Sequence, residues 1–390
     1  MLSPERLDEA GDLVAGVYAE METVMLLSLV RTLLSGDVIS SGRTMTELLL
    51  LAQSKRAELR AIIDRYADRI DAATLATVRE FLRESDEADL SIIGGKPTWP
   101  RQVTATVHGI AEVLDRDNLD MVEGAIQAFI GESARACTLV NTGVQTTERA
   151  LHHAVRSLMR AGVPIVTYRD PGTGRQTVRN HVDVAVRRHI RTQISQDAGR
   201  VTLATMEHAG ARFVEVTSHT GARPSHQVWQ GRVYALDGPV TVDGVTYPDF
   251  GEGTGYYGTG PHAALGDRLC GVNCRHHFGP WVPGTPHRFE RDPQHPSGLD
   301  NDEVYQLSQD QRALERLIRA DKRELAGMVE VWRSTRTPEA LADVREAQRR
   351  LRADQQRIRE LIADANSRGA ADVLHRQRYR EWAGDMPEMP

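Results

Sequence analysis

The sequence predicts an α+β protein: a mainly helical N-terminal half, a compact α+β middle domain with short strands, and long C-terminal helices. Two patterns carry this. Apolar residues recur every three or four positions over both ends of the chain, as in helices with one buried face. Short alternating runs punctuated by Gly, Pro and Asp, with a cluster of aromatic residues, fall between about residues 162 and 284. The division that follows is 1–90 (helical), 91–161 (linker and helices), 162–298 (α+β unit) and 299–390 (C-terminal helical region).

Ser3-Pro4-Glu5 opens the first helix with a cap, a proline at the first helical position and an acid in the first turn. Leu7, Leu13, Val14, Val17, Tyr18, Met21 and Met25 keep helical spacing, and Gly36 is its expected stop. Thr44-Met45-Thr46-Glu47 is a capping box for a second helix through Ile63, and a third covers 72–82. Gly94, Gly95, Pro97 and Pro100 mark 92–100 as a linker, after which helices resume over 119–161. Runs at 165–168 and 176–178 flank Asp170-Pro171-Gly172-Thr173-Gly174 as a hairpin. Residues 182–196 and 201–209 are helical, with Arg187, Arg188 and Arg191 near one side. Strands are expected at 212–216, 232–236 and 240–245 and within 277–284, and glycine-rich 250–260 reads as a loop. Helices return from Asn301 to near Leu374, the later one opened by Thr337-Pro338-Glu339.

Hydrophobic residues make up 40% of the chain and charged residues 26%, as in globular proteins. A net charge of -6 offers no general basic footprint for nucleic acid. The dense arginines of the C-terminal region, among them Arg345, Arg349, Arg350, Arg352, Arg357 and Arg359, alternate with Glu and Asp and read as a salt-bridged helix face. Three cysteines are too few for a disulfide scaffold and fit a reducing compartment; Cys137 reads as a small buried residue. The strongest apolar run, 24–34, is broken by Ser28 and Arg31 and is short for a bilayer span, so no membrane partner is expected.

Specific chemistry concentrates in 218–284. Cys270, Cys274 and His276 supply sulfur and nitrogen ligands within seven residues, and His219 completes a zinc-type set, with His226 and His262 as alternatives for the fourth place. The spacing is not that of a paired zinc knuckle. The other reading is a set of buried small cysteines and carbonyl-bonded histidines. His219, Arg223, Ser225, His226 and Asp249 include nucleophile, base and acid types, yet no nucleophile elbow, zinc-protease helix or phosphate loop is present. Trp229 and Trp281 read as core, and the glycine-flanked Tyr256-Tyr257 pair reads as an interface candidate.

Ser218-His219-Thr220-Gly221-Ala222-Arg223-Pro224-Ser225-His226, Trp229-Gln230-Gly231, Tyr234, Tyr247-Pro248 and Cys270-Gly271-Val272-Asn273-Cys274-Arg275-His276 together resemble the phage minor capsid protein 2 family of tailed phages and prophages. Asp183-Val184-Ala185-Val186-Arg187-Arg188 upstream, and Gln311-Arg312, Leu314-Glu315-Arg316 and Ile318-Arg319 downstream, extend the likeness over about 160–330. The insertion at 261–268 departs from the pattern and leaves His262 without a family role. The resemblance implies a minor head component, similar in role to Mu F-like head morphogenesis proteins. It implies portal and capsid proteins as partners, with DNA at the portal a further one. It implies a place in the virion, after assembly in the host cytoplasm. It transfers no catalytic residues. The rival readings are a metal-dependent hydrolase or nuclease built on the His/Cys segment, and a metal-free adaptor for DNA or portal.

Overall fold

The computed structural model describes all residues except 36, 37, 40–42, 170–175, 371–373 and 375–377. The helix stop expected at Gly36 and the turn expected at 170–174 lie outside the described residues. The first periodic stretch forms two helices, α1 (Pro4–Glu9) and α2 (Asp12–Leu34), with an elbow at Ala10 and Gly11. A Cβ on Gly11 would lie 2.5 Å from the Arg187 carbonyl oxygen, so the elbow rests directly on backbone.

The Thr44–Glu47 capping box opens α3 (Met45–Ile93), a single helix of 49 residues where two were expected. Residues 64–71 contain neither Gly nor Pro, and once a helix is nucleated each added residue propagates it. The linker shrinks to 94–98, because α4 (Trp99–Asn141) starts well before residue 119. Buried Asp86 accepts the Thr98 N–H at 2.7 Å and the Trp99 N–H at 3.2 Å, serving as the N-terminal cap that sequence-local residues do not supply. Then come α5 (Thr147–Ala161), the antiparallel pair β1 (Pro164–Arg169) and β2 (Gln176–His181), and α6 (Val182–Ala209).

The short elements follow: β3 (Phe213–Val216), α7 (Pro224–Gln227), β4 (Val233–Ala235), β5 (Val240–Val242), β6 (Val245–Tyr247), α8 (Phe250–Thr254) and β7 (Phe278–Trp281). β3 is the middle of a three-stranded antiparallel sheet in the order β4-β3-β7. β5 and β6 join through Asp243 (φ 50°) and Gly244 (φ 78°), the paired left-handed residues of a tight hairpin. The expected loop at 250–260 begins instead with α8, because Asp249 accepts the Glu252 N–H at 2.7 Å and caps a turn of helix. Two long helices close the fold, α9 (Asn301–Thr335) and α10 (Pro338–Ser367).

One apolar core runs through α2 to α6 and on into α9 and α10, and includes the fully buried Leu29, Phe129, Ile190 and Ile318. Cys137 is buried in it as expected. By length and composition Pro4–Leu34 could cross a membrane, with a mean hydropathy of 1.6, more than the sequence reading of 24–34 allowed; here its apolar window is 72% buried inside the protein, as a core helix would be. A buried ion pair stitches this core. Glu22 accepts the Arg323 guanidinium at 3.0 Å and the Val163 N–H at 2.6 Å, while Arg323 also donates to the Met159 and Arg160 carbonyls at the end of α5. A second, smaller core holds Trp229, Phe250, Phe278, Cys270 and Cys274 around Val214 of β3.

Candidate functional site

Strand pairing explains why two motifs some fifty residues apart in sequence meet. β3 and β7 are antiparallel, with Val216 opposite Phe278, so the chain leaving β3 lies beside the chain entering β7. Thr217 fixes the crossing: its N–H donates to the His277 carbonyl at 2.9 Å and its hydroxyl accepts the His277 N–H at 2.9 Å. Ser218 and His219 therefore face His276 and His277. Pro224 opens α7, which carries His226 inward, and Gly231 closes the loop by donating to the Val216 carbonyl at 3.1 Å. Gly231 has φ 63°, and a Cβ there would lie 2.2 Å from the Glu290 carbonyl oxygen, so two reasons require glycine. Cys270 and Asn273 carry φ near 57° without being glycine, which marks 270–274 as a tightly wound turn.

Inside this frame the rings form a stack. The His219 ring lies 4.4 Å from His276, and Trp229 lies 4.8 Å from both His226 and His276. The Gln230 amide oxygen accepts the His219 N–H at 3.3 Å and His276 Nε2–H at 2.9 Å. An amide oxygen only accepts, so His276 keeps its lone pair on Nδ1, which faces Cys274 Sγ at 3.9 Å. His226 donates through Nε2 to the Gly266 carbonyl at 3.2 Å. Burial, helped by Arg275, pushes His219 down to about 3; burial and Arg223 push His226 down to about 4; burial and His219 hold His276 well below its usual value. All three rings are thus neutral near pH 7. Burial pushes the Cys274 thiol up to about 11, the opposite of a reactive thiolate.

Of the sequence-predicted metal set, Cys274 and His276 come together, joined by His226: one ligand atom from each lies within 4.8 Å of the others. Cys270 turns its sulfur toward the His276 carbonyl at 3.9 Å, and neither it, His219 nor His262 belongs to this trio. Zinc bonds of about 2.0–2.1 Å to nitrogen and 2.3 Å to sulfur would set tetrahedral ligands roughly 3.3–3.6 Å apart. The trio fits a zinc ion after closing by roughly an ångström, and its donor types suit that metal. A hydrolytic arrangement fares worse. Ser225 Oγ has no hydrogen-bond partner, and Asp249 is occupied as a helix cap and by the Gly238 N–H.

Sequence reading left the arginines above the rings unassembled. Arg223 spans two loops by donating to the Gly266 carbonyl at 2.5 Å and the Val272 carbonyl at 2.9 Å, and Arg275 donates to the Gly221 carbonyl at 3.0 Å. Arg187, Arg188 and Arg191 arrive from α6, and Arg312, Arg316 and Arg319 from α9. With Arg380 and the three histidines they line a cavity of about 430 Å³. The i, i+4, i+7 spacing of 312, 316 and 319 was the available signal; it needed the α6 trio opposite to acquire meaning.

The remaining expectations divide. Trp229 and Trp281 are core, at 0% and 5% exposure. Tyr256 packs between Phe250 and Phe278 rather than facing outward, whereas Tyr257 is 55% exposed. On α10, Arg350 pairs with Glu324 and Glu346, and Arg357 with Asp354, as a salt-bridged face requires.

A family model described as phage minor capsid protein 2 matches residues 102–363. No curated protein matches the chain, and no solved structure does.

Proposed function

Because this chain belongs to the phage minor capsid protein 2 family, and so is a virion structural protein of a bacteriophage, we propose that it works at the portal region of a tailed-phage head during head assembly. The family match over 102–363 carries this reading. It takes in the His/Cys motifs and most of the helical frame, so the unit as a whole is characteristic of the family. Portal and capsid proteins are the proposed partners, DNA at the portal a further one, and the host cytoplasm the proposed place of assembly. Mass spectrometry of purified virions is the test. The protein should appear at low copy and cross-link to the portal; its absence from particles would overturn the proposal.

A second proposal concerns the trio. His226, Cys274 and His276 are suited to hold a structural zinc that fastens 218–231 to 270–277, since three ligand atoms of the right types already converge. Elemental analysis of the purified chain should find about one zinc per chain, lost in Cys274→Ser. Zinc-free protein with unchanged melting temperature would leave the hydrogen-bonded stack as the whole site. The nuclease reading predicts DNA cleavage with added divalent metal, abolished by His219→Ala or His276→Ala. We expect no cleavage.

A further inference from the structure

The arginine-lined cavity has more positive charge than the fold neutralises. Asp8 takes Arg191 at 3.0 Å, Arg312 at 2.9 Å and Arg380 at 2.8 Å. Asp12 takes Arg187 at 2.5 Å and Arg380 at 2.9 Å, and Asp183 takes Arg319 at 2.9 Å. Among the described residues Glu315 is the one carboxylate in the cavity wall, and burial pushes its pKa up, toward the neutral form. Counting Glu315 as charged, nine arginines meet four carboxylates in the wall or at ion-pair distance, an excess of five charges, with Asp117 and Glu5 acting on Arg188 and Arg275 only from farther off. Among the described residues Arg188, Arg223, Arg275 and Arg316 have no ion-pair partner, and the partners of Arg223 and Arg275 are backbone carbonyls.

Like charges converging on so small a volume repel one another, and the chain arranges them from five separate stretches. Stability alone does not explain this. Replacing Arg316, which is exposed and unpaired, would relieve repulsion at no cost in packing. A ligand does explain it. We propose that this cavity binds a compact, multiply charged phosphate-type anion of about the size of a di- or triphosphate. Guanidinium forks match phosphate oxygens in pairs. A volume of about 430 Å³ admits a small ligand but not a nucleic-acid duplex. A lone carboxylate would neutralise one of the five excess charges, whereas a triphosphate neutralises most of them. The choice of arginine over lysine carries no weight, since the chain has only three lysines, Lys55, Lys96 and Lys322.

The test is calorimetric titration of the full chain with inorganic tripolyphosphate at low ionic strength, with Arg188→Gln and Arg316→Gln as variants. Neither change strands a paired acid and each relieves repulsion, so the ligand-free melting temperature should not fall below the wild-type value. Binding should be saturable at one site per chain, raise the melting temperature, and weaken about tenfold in each variant. Arg349→Gln, on the exposed face of α10, should bind like wild type. No heat and no thermal shift at millimolar tripolyphosphate would overturn the proposal, as would equal weakening by Arg349→Gln. An oligonucleotide that binds the chain without competition from tripolyphosphate would make the arginines a nucleic-acid surface, and would overturn it too. ATP run in parallel separates a nucleotide from a free polyphosphate by the affinity that the base adds.

Discussion

Replacing Arg323 should unfasten the helical body at its centre. Arg323 and Glu22 are 2% and 0% exposed in their side chains and lie 3.0 Å apart. Arg323→Met removes the cation and leaves the Glu22 carboxylate buried with the Val163 N–H at 2.6 Å as its remaining donor. It also frees the Met159 and Arg160 carbonyls, which close the end of α5. Breaking one side of such a pair costs about 3–5 kcal/mol, because the surviving charge stays out of water. For a 390-residue cooperative unit the unfolding entropy is about 0.8 kcal/mol/K, so the melting temperature should drop by about 4–6 °C. Adding Glu22→Gln removes the stranded charge while its amide oxygen still accepts from Val163, and should restore more than half of the loss. Scanning calorimetry of the two single variants and the double decides. A shift under about 1 °C for Arg323→Met, or a double variant no better than the single, would refute the claim that uncompensated charge sets the cost.

Further outcomes follow from the small core. Trp229→Ala should destabilise by about 3–5 kcal/mol, read as a lower urea midpoint, because the indole is fully buried between two histidines. Gly231→Ala should be at least as damaging through its positive φ and the Glu290 carbonyl; native-like melting of that variant would show that the loop can move aside. Acid should unfold the protein through its histidines. His219 and His226 titrate near 3 and 4 in the folded chain against an ordinary 6.5, so the unfolded chain binds the extra protons. Their stabilisation is complete above about pH 6.5 and is lost as pH falls toward 4, by at most about 1.4 kcal/mol per pH unit for each ring. Urea titrations at pH 7, 6 and 5 should show this fall, with a shallower slope in His226→Gln; a flat profile would mean the rings are solvated.

Much of the architecture was legible because local signals and tertiary context agree in it. The Thr44 box, the Asp243-Gly244 hairpin and the Thr337-Pro338 start need only neighbours in sequence. The early start of α4 was hidden because its cap, Asp86, comes from the preceding helix. The continuity of α3 was hidden because its exposed middle is polar on most sides. The motif residues were visible as chemistry, and spacing alone placed Cys274 next to His276. Choosing His226 over His219 and Cys270 required the path of α7, which no spacing encodes. The arginine cavity was least legible, since its walls come from α6, α9, two loops and Arg380, each ordinary by itself.

The pairing of Asp8 and Asp12 with Arg380 has a consequence for the order of events in the cell. The partners of Arg380 stand 368 and 372 residues earlier in the chain. At about 5–20 residues per second, a ribosome completes Arg380 roughly 20–75 s after Asp8. Arg191 and Arg312 are made within that interval and share Asp8 without their third companion until Arg380 follows, and until then one wall of the cavity is missing. A nascent chain that has not reached Arg380 therefore cannot present the finished cavity to any ligand. Whatever engages it meets a chain in which this distant residue has been made and docked onto Asp8 and Asp12.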